Sequence, residues 1–245
     1  MKQSTEDGFL GGRVRALQFR GGFRSGIDAV MLAAAVPARE GEELLELGCG
    51  AGVASLCLAS RVKGCSVRGV EIVPHLVEAA RESARLNGME RRLAFVQGDV
   101  LDLPRELRLS FSHVFCNPPF HDDRGDVSPH KERALALEDA GRLKDWIAAA
   151  LKRVVSNGTM TLIIRADRLG EALRILPQTG VTLFPLWPRR GEAAKRVIVQ
   201  VRKASRAQLA LLSGMVLHHA NGGYSKEAEE VLRSGGSLAL ASPRQ

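Results

Sequence analysis

The chain has 245 residues, a formal net charge of +8, and 45% hydrophobic against 25% charged residues, a balance that excludes a disordered or fibrous protein. Its longest unbroken apolar stretch, 29–36, is far shorter than the roughly 20 residues needed to cross a bilayer, and no basic-then-apolar leader opens it, so a cytoplasmic protein is expected. Cys49, Cys57, Cys65 and Cys116 have no C-x-x-C spacing and read as reduced packing residues, so no metal site is expected.

In chain order, residues 13–19 followed by Arg20-Gly21-Gly22 and Phe23 suggest an N-terminal hairpin or loop, and 26–36 a short helix. The apolar run 44–47 ends in Gly48-Cys49-Gly50-Ala51-Gly52, after which 53–62 has helical spacing. A second strand over 67–70 ends at Glu71, and Pro74 sits where a helix first turn accepts it, with Asn87-Gly88 as the stop. Strands follow over 93–96 and 113–116, where His113 reads as a buried, satisfied histidine. Residues 121–137 match no regular element and read as a lid or substrate loop. A helix over 146–155 and a strand over 159–164 come next, then an antiparallel pair over 181–186 and 196–201. A last helix spans 225–233, with Ser225 as cap and Gly235 as stop. Strands alternating with helices imply an α/β fold: a Rossmann-like, mainly parallel sheet with helices on both faces. One domain over 1–245 is expected, with an N-terminal segment (1–40), a core (41–202) and a helical C-terminal tail (203–245).

A strand, a glycine turn and a helix make a generic nucleotide-binding device. Here Val53 stands where a dinucleotide fingerprint needs glycine, and Glu46 precedes the turn. A carboxylate there would repel a phosphate but suits a cationic amino-acid moiety, as in S-adenosylmethionine. Cys49 is read as offering its backbone N–H rather than its thiol. Glu71 is placed to accept ribose hydroxyls, and Asp99 the adenine amine, with loop capping as the alternative for both.

Asn117-Pro118-Pro119-Phe120 closes the fourth strand. Two prolines cannot continue a central ladder, so the turn is stiff and its acceptors are fixed in direction. The Asn117 side-chain oxygen and the Pro118 carbonyl could receive both hydrogens of a planar amino group, and Phe120 could stack on its ring. His121, Asp122 and Asp123 follow, as substrate contacts or as solvated loop. Between 186 and 206, seven cations including Arg189, Arg190, Lys195 and Arg196 face one acid, Glu192. Such a cluster suits either a polyanion such as RNA or a charge-protected strand edge.

Glu46 through Gly52, Glu71, Asp99 and Asn117-Pro118-Pro119-Phe120, in that order, resemble the class I S-adenosylmethionine-dependent N-methyltransferases. The resemblance implies a seven-stranded methyltransferase sheet, S-adenosylmethionine as cofactor with S-adenosylhomocysteine as product, and Ile72 and Val100 in the cofactor site beside Glu71 and Asp99. The stretch from Phe23 and Arg24 through Leu32 is similar to bacterial tRNA (adenine-N6) methyltransferases that modify valine tRNA at adenine 37. That likeness implies a tRNA partner, roles for Arg24, Ser25 and Asp28 near the methionine end of the cofactor, and a monomer or weak homodimer. The N-P-P-F turn is shared by enzymes acting on adenine, on the guanine N2 amine and on glutamine amides, so rRNA guanine-N2 and protein-glutamine methylation stay as alternatives. The guanine enzymes carry an additional degenerate domain for which 245 residues leave no space.

Overall fold

β3 (Glu43–Leu47), β4 (Ser66–Glu71), β5 (Leu93–Gln97) and β6 (Phe111–Cys116) pair in parallel in the order β5-β4-β3-β6. Their near-continuous apolar runs suit that arrangement, since strands covered on both faces have no solvent side to alternate toward. The structure, a computed structural model, describes residues 4–20, 24–119 and 143–240. Beyond β6 the sheet continues with β7 (Val154–Arg165), then β9 (Arg196–Arg202) and β8 (Val181–Trp187). β9 is antiparallel to both neighbours, the closing pair expected from the sequence.

These seven strands are the expected set, but among the described residues the sheet has nine. Two-residue strands β10 (Ala210–Leu211) and β11 (Met215–Val216) pair in parallel with the outer edge of β8. Segments that short carry no periodicity to read, and they give the exposed edge of β8 backbone partners. β7 also starts earlier than expected. Phe111 pairs with Val154, the register shifts, and His113 then pairs with Thr159.

Helices cover both faces. α1 (Ile27–Ala35), α2 (Val53–Arg61) and α3 (Pro74–Leu86) share one apolar core with Leu44, Val67, Phe95 and Phe115. α4 (Leu143–Arg153) and α5 (Leu169–Ile175) pack with Leu45, Leu47, Val70, Val114 and Cys116 on the other. Neighbours along a strand fall into different cores, as the period of two requires. His113 is buried and satisfied, 2.8 Å from Thr159 Oγ1 and 3.0 Å from Glu42 Oε2, and burial lowers its pKa. Among the described residues, no helix is long and apolar enough to cross a membrane.

The N-terminal hairpin turns at a different place from that expected. β1 (Ser4–Phe9) pairs with β2 (Val14–Phe19) through a turn over 10–13, so Arg20 follows the second strand rather than forming the turn; Gly21, Gly22 and Phe23 lie outside the described residues. The outer backbone of β2 is satisfied by α3: the Leu17 amide donates to Ser83 Oγ (2.9 Å), and Asn87 both accepts from the Arg15 amide (3.0 Å) and donates to its carbonyl (2.6 Å). Among the described residues of the C-terminal tail, only α6 (Lys226–Leu232) is an α-helix. Ser225 Oγ caps it by accepting from the Ala228 amide at 3.1 Å, and Ala228 and Val231 join the core of α1.

Candidate active site

Because β6, β3, β4 and β5 are parallel neighbours, their C-terminal ends line up along one sheet edge: Asn117 after β6, the turn 48–52 after β3, Glu71 and Ile72 at the end of β4, and Asp99 after β5. The chain winds outward from β3 to β5 and returns on the other side of β3 as β6, the reversal at which open α/β sheets form a ligand crevice.

The glycine turn is tightly specified. Gly48 has φ +65°, and a Cβ there would lie 2.6 Å from the Trp146 ring, so no other residue fits without displacing the indole. At Gly50, with φ +53°, a Cβ would meet nothing within 4 Å, which leaves an open cradle at the centre of the turn. The Cys49 amide donates to the Val70 carbonyl (3.0 Å), so the expectation that it serves a ligand is corrected: that donor is used to tie the turn to β4. Burial pushes the Cys49 thiol pKa well up, which keeps it protonated.

Glu46 also departs from expectation. It is 4% exposed, and its Oε2 accepts hydrogen bonds from the Ser55 amide (3.1 Å) and the Ser55 hydroxyl. Burial pushes its pKa up to about 8, so it holds a proton at neutral pH and its attraction for a cationic group is weak. Here the carboxyl braces α2 against β3.

Glu71 accepts from the Gly50 amide (2.9 Å) with one oxygen and the Val73 amide (3.0 Å) with the other. Asp99 accepts from the Leu101 amide at 2.8 Å. Both acids therefore do cap loops. Ile72 is 41% exposed at the end of β4, an apolar side chain facing solvent where a flat apolar ring could cover it, whereas Val100 is buried in the core.

Asn117 lines a cleft of about 450 Å³ together with Arg24, Gly26, Ile27, Asp28, Leu186, Pro188, Lys195, Arg196, Leu217 and His218. Its Oδ1 is buried and, among the described residues, has no hydrogen-bond partner. A buried acceptor left unpaired costs about 1–3 kcal/mol, so this atom, unpartnered among the described residues, is open to a donor. Pro118 is buried and Pro119 half-buried beside it. Phe120, His121, Asp122, Asp123 and the whole loop expected over 121–137 lie outside the described residues.

The hairpin positions the segment leading into α1. Gln18, buried on β2, accepts from the Ser25 amide (2.6 Å) and donates to its carbonyl (3.3 Å), and Arg24 is held by Asp7 and by Thr5 Oγ1 (3.1 Å). The Ser25 backbone is thus used internally, while Arg24 and Asp28 reach the cleft. The basic stretch divides. Lys195 and Arg196 line the cleft, but Arg189, paired to Glu192 at 3.2 Å, and Arg190 are exposed outside it. Arg196 Nε donates to Asp28 Oδ2 at 2.8 Å, joining β9 to α1.

Sequence reasoning passed over His218, which lines the cleft and stacks on Tyr224 with ring centroids 4.8 Å apart. The signal was Asn221-Gly222-Gly223, a turn that brings two flanking residues face to face.

Residues 26–173 match the family model described as the methyltransferase small domain. The chain is 30% identical over 224 residues to a tRNA1(Val) (adenine(37)-N6)-methyltransferase of Porphyromonas gingivalis, covering 83% of this chain and 85% of that one. An enzyme of the same description from Actinobacillus pleuropneumoniae is 29% identical over 176 residues, 70% of this chain and 73% of that one. The crystal structure of a predicted O-methyltransferase from Agrobacterium tumefaciens superposes with a TM-score of 0.72 at 26% identity, covering 86% of this chain and 98% of that one.

Proposed function

Because the chain belongs to the methyltransferase small domain family, we propose that it methylates an exocyclic adenine amine in tRNA, adenine 37 of valine tRNA being the first position to test. S-adenosylmethionine, when bound, supplies a methyl group already activated by its sulfonium, which leaves alignment as the main task of the protein. The open cradle at Gly50, the exposed Ile72 and the acids Glu71 and Asp99 sit in one row and are chemically suited to an adenosine moiety.

What carries this reading is the unpartnered Asn117 Oδ1. An exocyclic amine is a poor nucleophile because its lone pair is delocalised into the ring. In this reading Asn117 Oδ1 accepts one amine hydrogen and the Pro118 carbonyl the other, which draws the lone pair out of conjugation and aims it along one direction. The stiff proline pair holds both acceptors still, so little reorganisation accompanies the reaction. The nitrogen that gains the methyl group then sheds a proton to solvent. Lys195 and Arg196 at the cleft rim suit the phosphates on either side of the base.

Incubation with methyl-labelled S-adenosylmethionine and undermodified total tRNA, followed by nucleoside analysis, tests this. Label in N6-methyladenosine is the expected result. Label in N2-methylguanosine or in protein would move the activity to one of the alternative amines.

A further inference from the structure

We infer that the His218 ring is a substrate-positioning wall of the cleft, stacking on the nucleobase whose amine Asn117 accepts. This rests on the functional reading above. Among the described residues that line the cleft, His218 is the one aromatic ring, and it offers a flat base entering there a π surface to lie on. The ring is also set in advance. Tyr224, the only tyrosine of the chain, stacks on it at 4.8 Å with an interplanar angle of 23°.

The backbone beneath the pair is tied at both ends. The His218 amide donates to the Pro188 carbonyl (3.0 Å) and the Leu217 amide to the Trp187 carbonyl (2.8 Å), which fastens the segment to the end of β8. The Ser225 amide donates to the Leu217 carbonyl (2.9 Å) and the His219 amide to the Gly223 carbonyl (2.8 Å). His218 and Tyr224 face each other across an antiparallel bridge, and Ser225 starts α6, which packs on α1. A ring held this way loses little rotational freedom when a base stacks on it, so most of the stacking energy remains available for binding. Pro188, Lys195 and Arg196 also line the cleft, which gives it apolar surface and positive charge, the composition that suits a base with its phosphates.

The test uses an anticodon stem-loop of valine tRNA with adenine 37 and a second copy carrying 2-aminopurine at that position, which has its amine at C2 instead of C6 and reports stacking by loss of fluorescence. His218→Ala should lower kcat/KM by roughly 10- to 100-fold, almost wholly through KM, and should leave the bound 2-aminopurine several-fold brighter than the wild type does. His218→Phe should restore both to within about threefold, and S-adenosylmethionine binding should be the same for all three proteins, which excludes a folding defect. A His218→Ala protein with wild-type KM and wild-type quenching overturns the inference while leaving the adenine reading intact. A wild-type protein that methylates no RNA overturns the functional reading and this inference with it.

Discussion

Arg196 Nε and Asp28 Oδ2 lie 2.8 Å apart although 168 residues separate them, and their pairing joins the first residue of β9 to the first turn of α1 across the mouth of the cleft. One partner comes from the basic stretch that suggested phosphate binding, the other from the segment whose resemblance implied a role near the methionine end of the cofactor. Half-exposed ion pairs of this kind contribute about 0.5–1 kcal/mol.

This pairing separates the two cations at the rim. Asp28 already offsets the charge of Arg196, whereas Lys195 is exposed on the same wall. Lys195→Ala should reduce the slope of log K against log salt for tRNA binding by about one, and Arg196→Ala by less. Asp28→Asn should raise tRNA affinity at low salt. Filter binding at several salt concentrations measures all three, and equal slopes for the two cation variants would contradict the assignment.

Gly48 and Gly50 should fail differently when changed to alanine. At Gly48 the new methyl meets Trp146 at 2.6 Å, so overpacking adds to the cost of φ +65° and stability should fall by about 2–4 kcal/mol. At Gly50 only the backbone cost of about 1–2 kcal/mol applies, but the methyl fills the cradle, and S-adenosylmethionine affinity should drop at least tenfold. Urea unfolding and calorimetric titration give the two readouts. Unaltered cofactor binding in Gly50→Ala would move the cofactor away from the turn.

Glu46 predicts a pH dependence. Its pKa rises from 4.5 to about 8 on folding, because burial disfavours the ionised form. Between those values the unfolded chain releases a proton that the folded chain keeps. Stability from this residue is therefore complete below about pH 4.5, declines as pH rises toward 8 and changes no further above it. Glu46→Gln keeps an acceptor for Ser55 and removes the titration. The variant's stability relative to the wild type should increase from pH 5 to pH 8, as urea unfolding at both values can measure. A difference constant with pH would mean that Glu46 is ionised in the folded protein.

Asn117→Ala should trade stability against activity. Removing a buried, unpartnered oxygen relieves an uncompensated desolvation cost, so the melting temperature should stay level or rise even though a side chain is lost. The turnover number should fall on the order of 100-fold, as when one preorganised hydrogen-bonding group is deleted from an active site. A thermal melt and single-turnover methylation test the pair of outcomes. A large loss of stability would show Asn117 to be a structural residue.

Much of the architecture could be read along the chain because its signals are local. The turn over 48–52, the stop at Asn87-Gly88, the proline pair after β6 and the Ser225 cap each act within a few residues of themselves, and the parallel strands announce their double burial by composition. Boundaries were missed where pairing, not propensity, decides them: the early start of β7 and the two short strands on β8 exist because a neighbouring edge offers hydrogen bonds.

What the sequence by itself determined was the order of chemistry-bearing turns, and hence the family and the strand ends that line up along one sheet edge. Which side chains are spent on the protein and which remain for a ligand was decided only by tertiary structure. Glu46 is neutralised by burial, the Cys49 amide is taken by Val70, Arg196 is matched by Asp28, and Asn117 Oδ1 has no donor among the described residues. Burial and hydrogen-bond pairing are properties of residues brought together from distant parts of the chain, and no spacing rule contains them.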